Sequence, residues 1–474
     1  MALSTQQKSK YVNGNRLEYD DRYDRLYFPD PGEMAEALAH RNSLLVELAE
    51  TAVTGCLGTK LNMADLSPGC RTCVDGRWSC LFINGKCNGN CFYCPTSQNE
   101  IGRPTTNSVT FNEPKEYVSY LERFGFRGAS ISGGEPLLTL DASVRFVRVI
   151  KRHFGEKIHV WLYTNGILAN KENLMRLRDA GLDEIRFDIG ATGYSLQQLA
   201  HAVGIMPTVT VEIPAVPEEE ERLKELLPIL IDTGVKHLNL HQLRLTPHNF
   251  EKLVARGYRF LHGEKVTVLD SEITALEILA HGAREGISLP INYCSFPYKN
   301  RFQARAARIR NAAFICKGYE VVTGNGFIRT MALVGDQDAL LACTDIFARK
   351  ALATSRWQLT GNRDKLYIHP DLLSCLNCQG LTLVITYSAA YQRQSASYRN
   401  PFINVEVSKK KKIVIEKETR QARFELSAEE MRIFVESFLP TDDLEQSTFS
   451  LPAGGLWEEL IDFERTRPGL ADYY

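Results

Sequence analysis

Residues 79–94 read SCLFINGKCNGNCFYC: a short apolar run, a glycine, and then three cysteines within eight residues. The run has the length of a buried strand, and the Asn- and Gly-rich stretch after it reads as a loop. Cys87, Cys91 and Cys94 therefore leave the end of one strand together, in C-x3-C-x2-C spacing. Closed zinc and iron–sulfur sites usually take four ligands, so these three cannot close a site alone. The residues leave three readings open: zinc completed by a distant ligand, buried thiols with no ligand, or a [4Fe–4S] cluster with one iron left to an exchangeable ligand.

The strand-and-loop pattern recurs outward from this point. After SCLFING (79–85) come GASISGG (128–134), HVWLYTNG (159–166), EIRFDIG (184–190), TVTVEIP (208–214) and HLNLHQL (237–243). Between them, LDASVRFVRVIKRHFGEK, NKENLMRLRDAGL and EEEERLKELLPILIDTGV carry apolar residues at helical spacing and close near a glycine. Such strand–helix units predict parallel strands with right-handed crossovers. Six of them predict an α/β fold, a partial (β/α)6 TIM-like barrel over residues 80–314. In such folds the chemistry gathers at the C-terminal ends of the strands.

The flanks read differently. Residues 1–79 predict an N-terminal extension, one helix (PGEMAEALAHRNSLLVELAE) leading into a cysteine-rich loop. Residues 315–474 predict a C-terminal α+β domain. There KGYEVVTGNGFIRTMALVGD alternates like a hairpin, INVEVSKKKKIVIEKE reads as two strands around a basic turn, and LSAEEMRIFVESF as a helix capped by Ser427. The KKKK run at 409–412 reads as a solvated hairpin tip rather than a nucleic-acid patch.

Each strand end carries a further motif: SGGEP (132–136), YTNG (163–166), DIG (188–190), VEIPAVP (211–217) and LNLHQL (238–243). Singly, each has a plainer reading: a turn for SGGEP, a helix cap for Asn165, a salt-bridge partner for Glu212. Together with CNGNCFYCP they resemble the radical S-adenosylmethionine (radical SAM) superfamily over roughly residues 80–290. The resemblance implies a [4Fe–4S] cluster on Cys87, Cys91 and Cys94, its open iron chelated by the methionine moiety of SAM. It also implies that Gly133, Gly134 and Glu135 shape the strand edge at the methionyl amino group, and that Tyr93 lies near the adenine. Asn165 and Asp188 become polar groups near SAM, Glu212 a partner of the ribose hydroxyls, and Ile213 a surface for the adenine. The implied activity is reductive cleavage of SAM to a 5′-deoxyadenosyl radical that abstracts hydrogen from substrate. LSPGCRTC and LFINGKCNGNCFYCPT, with LPINYCSFPYKNRFQARAAR (289–308), are similar to uncharacterised, largely archaeal proteins related to pyruvate formate-lyase activating enzyme.

Nine more cysteines remain of the 12. Cys316, Cys343, Cys375 and Cys378 are expected to hold an auxiliary [4Fe–4S] cluster. They resemble the auxiliary-cluster extensions of SPASM and twitch enzymes, with zinc and unligated thiols as the alternatives. Cys70, Cys73 and Cys80 form a candidate second auxiliary site, completed by Cys56 or Cys294, with burial in the core as the plain reading. His241 and His248 read as proton-handling or supporting residues. Tyr293, Tyr298, Lys299 and Arg301, around Cys294, are expected to line the substrate cavity.

Composition excludes little and directs the rest. Lys plus Arg total 56 against 57 Asp plus Glu, so no global field favours nucleic acid. No apolar run reaches the length of a membrane span, and the polar N-terminus lacks the apolar core of a signal peptide. The expectation is a cytoplasmic protein whose cysteines, in a reducing compartment, bind metal rather than pair. Because no peptide-leader-binding domain is recognisable, the expected substrate is a small molecule in specialised-metabolite biosynthesis. SAM is the co-substrate, and flavodoxin or ferredoxin the reductant. Sulfur insertion from an auxiliary cluster and peptide or protein modification are the enzymatic alternatives, and a non-catalytic Fe–S electron-transfer protein the alternative of another class.

Overall fold

The structure, a computed structural model, describes residues 3–409, 411–439 and 454–474. Among these, the residues up to Gln303 (apart from 107–109) join Pro468–Tyr474 in one compact unit, and Ala304–Arg467 with 107–109 form a second.

In the first unit every apolar run of the repeat becomes a strand. The strands are β1 (Ala52–Gly55), β2 (Lys60–Met63), β3 (Trp78–Lys86), β4 (Gly128–Gly133), β5 (His159–Thr164), β6 (Glu184–Phe187), β7 (Thr208–Pro214), β8 (His237–His241) and β9 (Ile291–Cys294). Their order across the sheet is β1-β2-β9-β8-β7-β6-β5-β4-β3. Every neighbouring pair from β3 to β9 is parallel. The sheet is a mixed α/β partial barrel: β1 stands at one edge, and two-residue strands at Asn99–Glu100 and Thr105–Thr106 pair with β3 at the other. Leu81, Ile131, Leu162, Ile185, Val211 and Leu238, one from each strand of the repeat, are fully buried. Burial of such side chains stabilises by about 1.5–3 kcal/mol each.

The helices between the strands follow their sequence signals. Asn170 caps Lys171–Asp179 by accepting from the Asn173 amide at 2.9 Å. Gly234, at φ 99°, ends Glu220–Thr233. One parallel strand lies beyond the six expected. β9 is four residues long and two of its side chains, Asn292 and Tyr293, are polar, so it shows no apolar run. It exists because the antiparallel β1–β2 hairpin covers its outer edge. The N-terminal cysteine-rich stretch is thereby part of the same sheet.

The second unit is built on an antiparallel sheet. Its strands are β10 (Glu320–Val322), β11 (Ile328–Val334), β12 (Trp357–Leu359), β13 (Lys365–Ile368), β14 (Thr382–Arg393), β15 (Phe402–Ser408) and β16 (Lys411–Leu426). The order is β12-β13-β11-β14-β16-β15, with β10 beside β11. Both expected hairpins form, β10–β11 and β15–β16. At the basic turn, Lys410 lies outside the described residues. Ser427 and Glu430 make a capping box at the start of Ala428–Phe438. That helix and Gln337–Arg349 bury Phe434, Leu340 and Phe347 with Leu383 and Ile385 of β14. Among the described residues no helix is long and apolar enough to cross a membrane.

Candidate active site at the strand ends

The loop after β3 brings Cys87, Cys91 and Cys94 to the wall of one cavity of about 570 Å³, a size typical of small-ligand sites. Gly133, Gly134, Asn165, Asp188, Glu212 and His241, from the ends of successive strands, share that wall with His248 from the loop after β8. The loop is held from beneath. Asn249, fully buried, donates from Nδ2 to the Tyr93 carbonyl at 3.2 Å, and Arg256 lies 3.6 Å over the Phe92 ring. The Tyr93 hydroxyl donates to the Asp188 carboxylate, 2.8 and 2.9 Å from its two oxygens.

Electrostatics around the loop suit metal-bound sulfur. Two N–H groups point at Cys87 Sγ, the Gly89 amide at 3.3 Å and Asn165 Nδ2 at 3.5 Å. Burial pushes the Cys91 thiol up to about 12, and the charges of Asp188, Cys87 and Cys94 add to it. Thiolates so placed form only with a compensating cation. Burial raises Asp188 as well, to about 6. Three thiols on one loop, with N–H donors on the first and a cavity beside them, fit a [4Fe–4S] cluster held through three irons.

Several expected roles are redistributed. The glycine pair approaches the backbone of β3 closely. A Cβ on Gly134 would stand 2.0 Å from the Lys86 carbonyl oxygen, and one on Gly133, at φ 133°, 2.1 Å from that of Asn84. Their smallness lets β4 close against β3 while both still border the cavity. Glu135 is 1% exposed and does not line the cavity. It accepts from the Leu137 amide (2.8 Å), the Thr164 hydroxyl (2.9 Å) and the Asn165 amide (2.7 Å). It ties β4 to β5 and so sets the position of Asn165. Asn165 caps no helix: its Nδ2 donates to Asn88 Oδ1 at 2.8 Å, reaching into the cysteine loop. Ile213 is fully buried and alternates with Glu212, which takes the cavity side.

Beneath the cavity lies an ion network that sequence reasoning missed. Arg186 is 3% exposed, and its guanidinium contacts Glu184 at 2.8 Å and Glu212 at 2.5 Å, and donates to Ser67 Oγ at 2.9 Å. Glu212 also accepts from Asn239 Nδ2 at 2.9 Å and lies 2.6 Å from His241 Nε2. Arg186 holds Glu184 down near 2, and Arg186 with His241 holds Glu212 well below the carboxylate range, both against burial. The signal was there in EIRFDIG: Glu184, Arg186 and Asp188 alternate with Ile185 and Phe187. Tyr293, Tyr298, Lys299 and Arg301 do not line the cavity. The Tyr293 hydroxyl is spent on Glu272 at 3.1 Å, and Arg301 reaches the Gly469 carbonyl at 3.2 Å.

The remaining cysteines sort unevenly. Cys80 turns inward to Ser130 and Ser132, and burial raises it to about 11. Its hydrogen-bond partners Ser130 and Ser132 belong to β4, the strand paired with β3, and Cys70 and Cys73 are not among the groups that shift it. In the second unit Cys343 is buried in the core and Cys378 packs against that core, near enough for its pKa to respond to Cys343. Cys316 instead feels Glu320 and Lys417. Among the described residues no three Cys, His, Asp or Glu side chains converge as one metal ion requires; a cluster's thiolates, bound to separate irons, stand further apart.

The family model described as the Radical SAM superfamily matches residues 81–195. A Methanocaldococcus jannaschii protein named as a glycyl-radical enzyme activating enzyme is 32% identical over 298 residues, covering 60% of this chain and 78% of that protein. A GTP 3′,8-cyclase of Corynebacterium glutamicum is 25% identical over 287 residues, 57% of this chain and 71% of the cyclase. Among solved structures, Streptococcus suis SuiB bound to S-adenosylmethionine aligns at a TM-score of 0.37 and 12% identity, over 64% of this chain and 68% of SuiB.

Proposed function

Because this chain belongs to the radical SAM superfamily and is an enzyme of it, we propose that Cys87, Cys91 and Cys94 hold its [4Fe–4S] cluster and that SAM occupies the adjoining cavity. The observation that carries this reading is that the three thiols, the β4 glycine edge, Asn165 and Asp188 border one space. A cluster held there would pass one electron to SAM, splitting it into methionine and a 5′-deoxyadenosyl radical that would take a hydrogen atom from the substrate. The protein's own part is orientation and shielding. Asn165 Nδ2 and the Gly89 amide offer N–H groups to Cys87. Glu135 fixes Asn165 through its backbone amide. Tyr93 and Asp188 lock the loop between the second and third cysteines.

The substrate in this reading is a small polar molecule, seated over Glu212 and His241 where charged groups border the cavity. A protein substrate is the second reading, favoured by the name of the Methanocaldococcus relative, a glycyl-radical enzyme activating enzyme. The proposal also keeps an auxiliary cluster on Cys316, Cys343, Cys375 and Cys378; the nearness of Cys343 and Cys378 supports it, while Cys316 stands with other charges. Titration of SAM into the reconstituted, reduced chain, followed by electron paramagnetic resonance, tests the SAM site. The cluster signal should shift on binding, and the SAM-responsive signal should be missing from Cys91→Ala. A wild-type signal indifferent to SAM would sink the assignment.

A further inference from the structure

Three cysteines outside this chemistry meet beside β9. Cys70 and Cys73 come from the helix Pro68–Val74, and Cys294 ends β9. That helix is clamped in place: Ser67 accepts from Arg186, and the Gly69 amide donates to Glu184 at 3.2 Å. A Cβ on Gly69 would meet Arg186 Nη2 at 2.3 Å, so only glycine lets the helix sit this close. Asn292 Nδ2 lies 3.4 Å from Cys294 Sγ and 4.0 Å from Cys70 Sγ, so one amide spans both sulfurs. Lys60 Nζ stands 2.9 Å from Cys294 Sγ and 4.7 Å over the Tyr298 ring. The Tyr298 hydroxyl is 3.2 Å from Cys73 Sγ, which also accepts from Gln303 Nε2 at 3.2 Å. Cys56, at the tip of the hairpin that supplies Lys60, is near enough to act on Tyr298.

The nitrogens around these sulfurs are donors: an ammonium and two amide NH2 groups. A neutral thiol needs an acceptor for its own proton, whereas a shell of donors suits sulfur carrying negative charge. Lys60 is 2% exposed and, among the described residues, makes no ion pair with a carboxylate. Burying an ammonium costs several kcal/mol unless it is compensated, and here sulfur compensates it. Lys299 lies near enough to act on the same cysteines; burial pulls its ammonium below the ordinary range, and the charges of Cys294 and Cys73 oppose that. Asn292 is 2% exposed, and its Oδ1 has no hydrogen-bond partner. We infer that Cys70, Cys73 and Cys294, with Cys56 as the fourth thiol, hold a further [4Fe–4S] cluster whose negative charge Lys60 and Lys299 balance. A doubly positive core held by four thiolates is a dianion, which two lysines neutralise. The amide N–H groups of Asn292 and Gln303 take the place of the sulfur-directed hydrogen bonds that tune such clusters. The site adjoins the cavity through His241, whose Nε2 meets Glu212 and which also bears on Cys294.

The test uses the full chain carrying Cys87→Ala, Cys91→Ala and Cys94→Ala, reconstituted anaerobically with iron and sulfide. It should retain about four irons per chain in a reducible cluster beyond any bound by the second unit, and adding Cys70→Ala with Cys294→Ala should remove them. No iron in the triple variant, or iron unaffected by the two further changes, overturns the assignment. Should the five-substitution chain fail to fold, Lys60→Met in the triple-variant background decides. Loss of a neighbouring cation should move one cluster's midpoint potential to more negative values, and unmoved potentials contradict the site. The cluster on Cys87, Cys91 and Cys94 is absent throughout, so failure here leaves the proposed SAM chemistry standing, and the reverse.

Discussion

Arg186 holds two buried carboxylates at once, Glu184 and Glu212, and its removal would leave them only His159 and His241, respectively, as cationic partners. Breaking a buried pair by deleting one partner costs about 3–5 kcal/mol. Arg186→Met should therefore lose about that much stability in urea unfolding, and a loss below about 1 kcal/mol would contradict the network. Glu135 gives a pH signature. Its carboxyl titrates near 4.5 when unfolded and, raised by burial, near 7 in the fold. Between those values the folded state holds the extra proton, so its contribution is complete at low pH and is lost as pH rises through about 7. Glu135→Gln should flatten this part of the profile of Tm against pH while lowering Tm, since one acceptor of a backbone amide is replaced by a donor. An unchanged slope would contradict the assignment. At this scale the cysteines of the loop were legible from spacing, and the cavity-facing Asp188 and Glu212 from the strand-end motifs that carry the family resemblance. The role of Glu135 was not, because its partners arrive from β5, about thirty residues on.

Strands announced themselves wherever an apolar run ended in a polar loop, which is why β3 to β8 match their sequence signals closely. β9 did not, because half of its four residues are polar and its outer edge is covered by a hairpin remote in sequence. The glycines of SGGEP were visible, but not their reason, which lies in the approach of β4 to β3. Gly134→Ala would drive a Cβ into the Lys86 carbonyl, 2.0 Å away. It should cost about 1–3 kcal/mol or more and lower iron retention on Cys87, Cys91 and Cys94, because Lys86 leads directly into that loop. Gly361→Ala, whose Cβ meets nothing within 4 Å, is the control and should leave both unchanged. Thermal unfolding and iron content after desalting read the two effects separately.

Over the whole molecule, sequence carried the alternation of strands and helices and the change to an antiparallel sheet in the second unit. It grouped the cysteines by their nearness along the chain, with Cys294 only as one candidate to join Cys70 and Cys73, because the final grouping is a tertiary property. Cys80 looked like a neighbour of Cys73 along the chain, whereas Cys294 is the neighbour in space. The ion network was masked for the same reason: charges in a buried strand read as surface until their partners on adjacent strands are known. What unites the cysteine loop, the strand-end polar groups and the cavity is one claim, that this chain cleaves SAM reductively on Cys87, Cys91 and Cys94. The most direct measurement is 5′-deoxyadenosine formed by the anaerobically reconstituted, reduced full chain supplied with SAM. The wild-type chain should form it, and Cys91→Ala should not. A wild-type chain with an intact cluster, by iron, sulfide and paramagnetic resonance, that forms none would contradict it.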